Sequence, residues 1–320
     1  MSKATKIWLI IAISLILAGG IIFTGVMTMF NWDFTQLSTS KFETNKHDIS
    51  ENLKNISIIT DTADIVFVKS EDSSCSVTCF EHKNSKHRVE VNDGTMVIEQ
   101  VDTRKWYEYI GINFGTPKIT VSLPKAEYGK LLIKASTGDT TLPGDFTFDS
   151  IDISKSTGKV INSASASEFI KIKTSTGDIR VENVSAGEVD LSVSTGLVTV
   201  SNLNLKGDLK VKVSTGRTNL TDVECESFIS TGSTGNVHLK NVVATQKFSI
   251  ERSTGDIKFD GVDASEIFVE TDTGDVRGSL LSEKVFIVKT DTGDVSVPKT
   301  VTGGRCEITT DTGDIKIEIK

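Results

Sequence analysis

Leu131-Leu-Ile-Lys-Ala-Ser-Thr-Gly-Asp-Thr-Thr-Leu142 decides how this chain folds. Apolar and polar residues alternate on both sides of a Thr-Gly pair, the period-two pattern of a half-buried strand. The pattern returns at Gly158, Gly177, Gly196, Gly216, Gly235, Gly255, Gly274, Gly293 and Gly313, always after 19 or 20 residues and always behind a Thr. Five residues before the Gly stand Ile133, Ile153, Ile172, Leu191, Val211, Ser230, Ile250, Val269, Val288 and Ile308. Two residues after it, eight of the ten are Val or Ile, so the strand character resumes beyond the corner.

One such unit is too small to bury its own apolar face. Stacked at about 4.8 Å, like strands pair in parallel and like residues form ladders. The predicted fold is therefore all-β, a parallel β-solenoid (β-helix) with 19–20-residue coils. Each coil holds a strand, a tight Thr-Gly corner, a second strand and a looser turn. A β-sandwich of separate hairpins would not hold one period ten times. By parity with the buried rows, Thr137, Thr157, Thr176, Thr195, Thr215, Thr234, Thr254, Thr273, Thr292 and Thr312 are expected to point inward as a hydroxyl ladder. Cys306 is expected inward, with Cys225 in the looser turn about four coils away. Upstream, 54–60, 63–69, 74–80, 87–92, 95–101 and 118–123 alternate less regularly, and Thr62-Ala63-Asp64 reads as a degenerate corner.

Residues 7–30 carry no charge. As a helix they span about 36 Å, enough to cross a bilayer core of about 30 Å. Lys3 and Lys6 precede this stretch, and the positive-inside bias sets the N-terminus in the cytoplasm. The rival reading is a cleaved signal peptide, but no small-x-small cleavage site is evident. The expected layout is a cytoplasmic tail (1–6), a transmembrane helix (7–30), a stalk (31–50), irregular first coils and cap (51–128) and a regular solenoid (129–320). The localisation this implies is a single-pass cell-membrane protein with its C-terminal domain outside.

The run Ile119-Thr-Val-Ser-Leu-Pro-Lys-Ala-Glu-Tyr-Gly-Lys-Leu-Leu-Ile-Lys134, followed by Ser136-Thr-Gly-Asp139, resembles the bacterial adhesin-like family of β-strand-repeat surface proteins, domain-of-unknown-function family 4097. Ile56-Ser-Ile-Ile-Thr-Asp-Thr-Ala-Asp-Ile-Val-Phe-Val68 resembles the opening strands of that family. The resemblance spans roughly 50–320. It implies a β-solenoid at the bacterial envelope, some members sitting beside envelope-stress systems, and carries over no catalytic residue.

The net charge of −8 argues against a nucleic-acid partner. Cys75, Cys79, Cys225 and Cys306 form no CxxC pair and His47, His82, His87 and His238 are scattered, so no zinc site is expected. Asp139, Asp178, Asp256, Asp275, Asp294 and Asp314 follow their corner glycines directly, and Asp272, Asp291 and Asp311 precede the last three Thr-Gly pairs. The six carboxylates of Asp272, Asp275, Asp291, Asp294, Asp311 and Asp314 would form one column. Such a column either caps backbone amides as turn chemistry or bridges coils through calcium. Arg180, His238, Lys258, Arg277 and Lys316, three residues past their glycines, form a broken outward basic row. Trp106, Tyr107, Tyr109 and Phe114 cluster beside Arg104 and Lys105, suiting a glycan, a membrane surface or a cover for the first coil. The expected function is a non-catalytic surface binding or adhesion scaffold, touching the lipid bilayer through 7–30 and a cell-wall polymer, glycan or envelope protein through the solenoid. The competing reading is an envelope-stress accessory that regulates a membrane sensor. An enzyme would need long loops to wall a cleft, and the spacing leaves no room for them in 129–320.

Overall fold

The computed structural model describes residues 2–34, 41–71, 73–109 and 115–320. The body is a parallel β-solenoid, each coil named here by its corner residue. In the Gly158 coil, Thr147–Thr157 runs up to the corner and Val160–Asn162 leaves it. Ile151 pairs with Leu131 on one side and Ile170 on the other, so every coil repeats the register of the last. The inward rows fill the core. Ile133, Ile153, Ile172, Leu191 and Val211 are all buried, and Phe228 and Phe248 meet edge to face with centroids 5.5 Å apart. Such rows supply most of the folding free energy, at roughly 1.5–3 kcal/mol for each fully buried large aliphatic.

The corner explains the invariant glycine within this chain. Gly216 has φ +141°, and a Cβ built on it would lie 1.8 Å from the Gly196 carbonyl oxygen. Backbone stacks directly on backbone at this edge, so no side chain fits there. The turn also overturns the expected threonine ladder. All ten corner threonines are exposed: each ends its strand, where the chain bends into the corner and the inward–outward alternation stops. The inward row ends two residues earlier, at Ala135, Lys155, Thr174, Val193, Val213, Gly232, Arg252, Thr271, Thr290 and Thr310. Its hydroxyls satisfy the corner carbonyls of neighbouring coils. Thr290 Oγ1 donates to Gly313 O at 2.9 Å and Thr310 Oγ1 to Gly274 O at 3.1 Å.

The looser turn is sharper than its sequence suggests. Asn183, Asn202, Asp222 and Asn241, each six residues past its corner glycine, have φ between 51° and 57°, and Gly261 follows at 67°. Asn and Asp tolerate this left-handed conformation better than other side chains. Asn202 Nδ2 donates to Asn183 Oδ1 at 2.9 Å and Asn241 Nδ2 to Asp222 Oδ1 at 2.8 Å, tying successive coils.

Stacking order departs from chain order at both ends. The opening strands are β1 (Phe42–Ile49), β2 (Asn55–Thr62), β3 (Asp64–Lys69), β4 (Cys75–His82), β5 (Ser85–Asn92), β6 (Thr95–Asp102) and β7 (Lys118–Leu123). β2 and β3 form a coil about Ala63, whose corner lacks a positive φ. That coil lies between the Gly138 coil and the later β6–β7 coil. The hairpin β4–β5 then closes the end, β4 antiparallel to β7 and β5 antiparallel to β6. β1 pairs antiparallel with β4, so the stretch expected to be a stalk over 31–50 contains a strand of the folded body. At the other end the Gly313 coil (Gly304–Thr312, Ile315–Ile319) inserts between the Gly274 coil (Glu266–Thr273, Val276–Leu280) and the Gly293 coil (Lys284–Thr292, Val295–Ser296). Cys225 and Cys306 are therefore three coils apart rather than four, and both are buried.

A helix, α1 (Lys3–Met29), precedes the body. Ser2 caps it, its Oγ accepting from Thr5 N at 3.2 Å. Thr24 and Thr28 return their hydroxyls to the carbonyls of Gly20 and Thr24, both at 2.8 Å, so their polarity does not oppose an apolar surrounding. The helix is long and apolar enough to cross a membrane, and none of the described residues covers its apolar window.

Candidate functional site

The acidic corner forms a hydrogen-bonded ladder between coils. Asp139 N donates to Asp64 Oδ1, Asp275 N to Asp256 Oδ1, Asp314 N to Asp275 Oδ1 and Asp294 N to Asp314 Oδ1, all at 2.8–3.0 Å. Each carboxylate caps the amide of the coil stacked upon it, where turn chemistry from the sequence placed such caps within one coil. Asp272, Asp291 and Asp311 lie on the exposed side of the corner and form no convergent set of ligand atoms with the column. The basic row is outward, as expected, and the insertion of the last coil makes it continuous. His238, Lys258, Arg277 and Lys316 lie opposite one another on four successive coils, with Arg180 four coils from Lys258. Arg277 bridges the two ladders, its Nη2 2.7 Å from Asp275 Oδ2 and 2.9 Å from Asp314 Oδ2. The column thus neutralises Arg277, while Arg180 pairs with Glu182 on its own strand at 2.9 Å.

The aromatic segment occupies the place of a corner between β6 and β7. Trp106, Tyr107 and Tyr109 form a short 3₁₀ turn and are 75%, 53% and 59% exposed, so they face outward rather than cover the first coil. Arg104 lies over the Tyr109 ring, 4.4 Å from its centroid, and pairs with Asp102, which also accepts from Tyr109 Oη at 2.9 Å. The Arg104 side chain holds the Asp102 carboxyl down at about 2. Phe114 lies outside the described residues.

Two features escaped the sequence reading. The first is a groove of about 520 Å³ along the left-handed turn, lined by Asn183, Asn202, Asn204, Asp222, Glu224 and Asn241 with the floor residues Val184, Leu203 and Val223. It runs across five coils, each of the first four presenting one exposed Asn or Asp at the same height. The signal was present in the sequence as Asn, Asn, Asp, Asn and Gly at a fixed offset of six from the corner.

The second is a buried network under the N-terminal hairpin. Potential ligand atoms of Cys79, Glu81 and His87 lie within 4.8 Å of one another, the single such group of three among the described residues. Glu81 Oε2 is 2.7 Å from His87 Nδ1 and accepts from His87 N at 2.6 Å, while Glu81 Oε1 accepts from Asn45 Nδ2 at 2.7 Å. His87 Nε2 is 2.9 Å from Thr60 Oγ1. Burial raises the Glu81 carboxyl, but its hydrogen bonds from His87 and Asn45 outweigh that and leave it below its ordinary range. Burial pushes the Cys79 thiol up to about 12, aided by the Glu81 charge. A metal here would have to break the Glu81–His87 contact and deprotonate that thiol, so the arrangement serves as a polar pin between β1, β2, β4 and β5.

A search of curated proteins finds no match. Among solved structures, a candidate adhesin from Bacteroides fragilis is 16% identical, with a TM-score of 0.44 over 87% of this chain and 97% of its own. A candidate lipid-binding protein from Parabacteroides distasonis is 13% identical, with a TM-score of 0.43 over 88% and 98%. A candidate adhesin from the same species is 13% identical, with a TM-score of 0.43 over 85% and 98%. A model of the Toastrack DUF4097 family matches residues 53–216 and 204–320, nearly the whole solenoid. The 19–20-residue coil, its stacked glycine corner and this match lead to one assignment: the chain belongs to the Toastrack DUF4097 family.

Proposed function

We propose that this chain is a membrane-anchored scaffold that presents its solenoid outside the cell as a non-catalytic binding surface for a linear polar polymer, of the cell-wall or glycan class. The groove along the Asn turn carries this reading. A repeating ligand matches a surface that repeats, and one amide or carboxylate on each of four successive coils provides hydrogen-bonding groups at a regular step. The uncovered helix α1 is suited to hold the solenoid at the bilayer. The exposed Trp106, Tyr107 and Tyr109 are a second contact surface at the end of the rod where the chain enters from α1.

The test uses the full chain in detergent micelles and isolated wall polymer from a Gram-positive and a Gram-negative source. Asn183→Gly with Asn202→Gly keeps the left-handed turn while removing two amides. We expect a loss of polymer binding of at least several-fold with only a small fall in melting temperature, from the lost Asn202–Asn183 hydrogen bond. Wild-type protein that binds neither polymer, or a double variant that binds as well as wild type, refutes the groove. Surface exposure is tested separately with Thr199→Cys, an outward position. A membrane-impermeant maleimide should label it in intact cells, and labelling only after lysis would place the solenoid inside.

A further inference from the structure

The two ends of the solenoid are finished differently. At the N-terminal end, the hairpin β4–β5 straddles the core with one strand on each face, and β1 adds a polar last strand. At the other end the stack finishes on the Gly293 coil, which is open. Lys284–Thr292 and Val295–Ser296 each have a single strand partner among the described residues, so the far edges of both are unpaired. The inward rows stop there in the open. Phe286, Val288 and Val297 are half-buried and Val295 is exposed, whereas Cys306, Ile308, Ile315 and Ile317, their counterparts one coil inward, are all buried. Val285, Ile287 and Val301 add exposed apolar surface at the same end. An open, apolar strand edge is a template for another strand, and natural proteins blunt or cover such edges.

We propose that this end docks against the same end of a second copy of the chain, the two Lys284–Thr292 strands pairing antiparallel about a twofold axis. Three observations select that occupant. The rows left open are those that bury like against like in every internal coil, so the surface that continues them is another coil of the same kind. At the N-terminal end the outermost strands β1 and β5 also have a free edge among the described residues, but their side chains are mostly polar. The apolar rows therefore find no continuation head to tail, which leaves the contact isologous and limits it to two chains. Charge then chooses the register. With the axis at Phe286, Lys289 of one copy lies opposite Glu283 of the other and Val285 lies opposite Ile287. An axis at Ile287 would instead set Glu283 against Asp291. Opposite charges across an antiparallel pair are favourable and like charges unfavourable. Because the chain enters at the capped end, this joint lies at the other end of the rod. It stands independently of any polymer in the groove.

The mass of the full chain in detergent micelles, measured by light scattering across a dilution series, provides the test. A dimer is expected for wild type. Lys289→Glu alone and Glu283→Lys alone should each raise the dissociation constant by on the order of 10-fold, since each creates two like-charge pairs per dimer. The double charge swap should restore it. Val285→Cys with Ile287→Cys should give a disulfide-linked dimer on mild oxidation of the folded protein. A monomer at every concentration overturns the proposal. So does a dimer insensitive to both single reversals, which would locate the contact elsewhere, α1 included.

Discussion

At the scale of the residue, position along one corner sets the tolerance of each side chain. Gly216 needs both its positive φ and the absence of a Cβ, since the Gly196 carbonyl occupies that space. Gly216→Val should lower stability by about 3 kcal/mol or more, read as a fall in the denaturant midpoint. Its neighbour Thr215 faces solvent, and Thr215→Val should change stability by no more than about 0.5 kcal/mol. Equal costs at the two positions would contradict the outward threonine row. Lys155 is the misfit of the inward row. It is buried with its ammonium on Gly138 O and Thr140 Oγ1. Burial, partly offset by Asp139 and Asp64, lowers its pKa from 10.5 to about 8. The unfolded chain therefore holds this proton more tightly between about pH 8 and 10.5, and stability contributed at this site rises with pH across that window. The penalty below pH 8 is on the order of 3 kcal/mol. Lys155→Met should then stabilise the protein at pH 7, and that gain should shrink toward pH 10.5. A gain independent of pH would show that the ammonium is not the cause.

At the scale of the element, the coil is stabilised by what lies above and below it. Strand Gly304–Thr312 has partners on both sides, Lys284–Thr292 on one. Hydrogen exchange should find the amides of 304–312 more protected than those of 284–292, although 284–292 comes first in the chain. The opposite ranking would mean that the coils stack in chain order. The Asn turn obeys the same logic locally. Asn202 at φ 52° should accept Gly with little loss, while Val, branched at Cβ and strained in that region, should cost about 1–3 kcal/mol by thermal denaturation.

At the scale of the molecule, the ten glycine coils, the Ala63 coil and the β6–β7 coil form one rod of roughly 55 Å at about 4.8 Å per coil. Its core holds three of the four thiols. Cys79, Cys225 and Cys306 are buried, and burial raises each to about 12. In the native protein at pH 8 they should resist a thiol reagent that reaches all four cysteines in denaturant, Cys75 being the most accessible of the set. Rapid native labelling of Cys306 would be inconsistent with its place between Ile267 and Phe286.

The period of 19–20, the Thr-Gly corner and the alternation around it were enough to read the solenoid, its register and the apolar helix from the chain alone. These are local, repeated signals, and repetition averages away the ambiguity of any one coil. The outward basic row was legible for the same reason. Three things were not. The corner threonines turned outward because strand parity fails where the backbone bends. The swapped order of coils at both ends leaves no local trace, since any coil of the same period fits any other, and the choice is made by which surfaces remain open. The joining of Cys79, Glu81 and His87 with Asn45 and Thr60 depends on a hairpin folding across the end of the core, through contacts between residues 6, 27 and 36 apart that no spacing rule encodes.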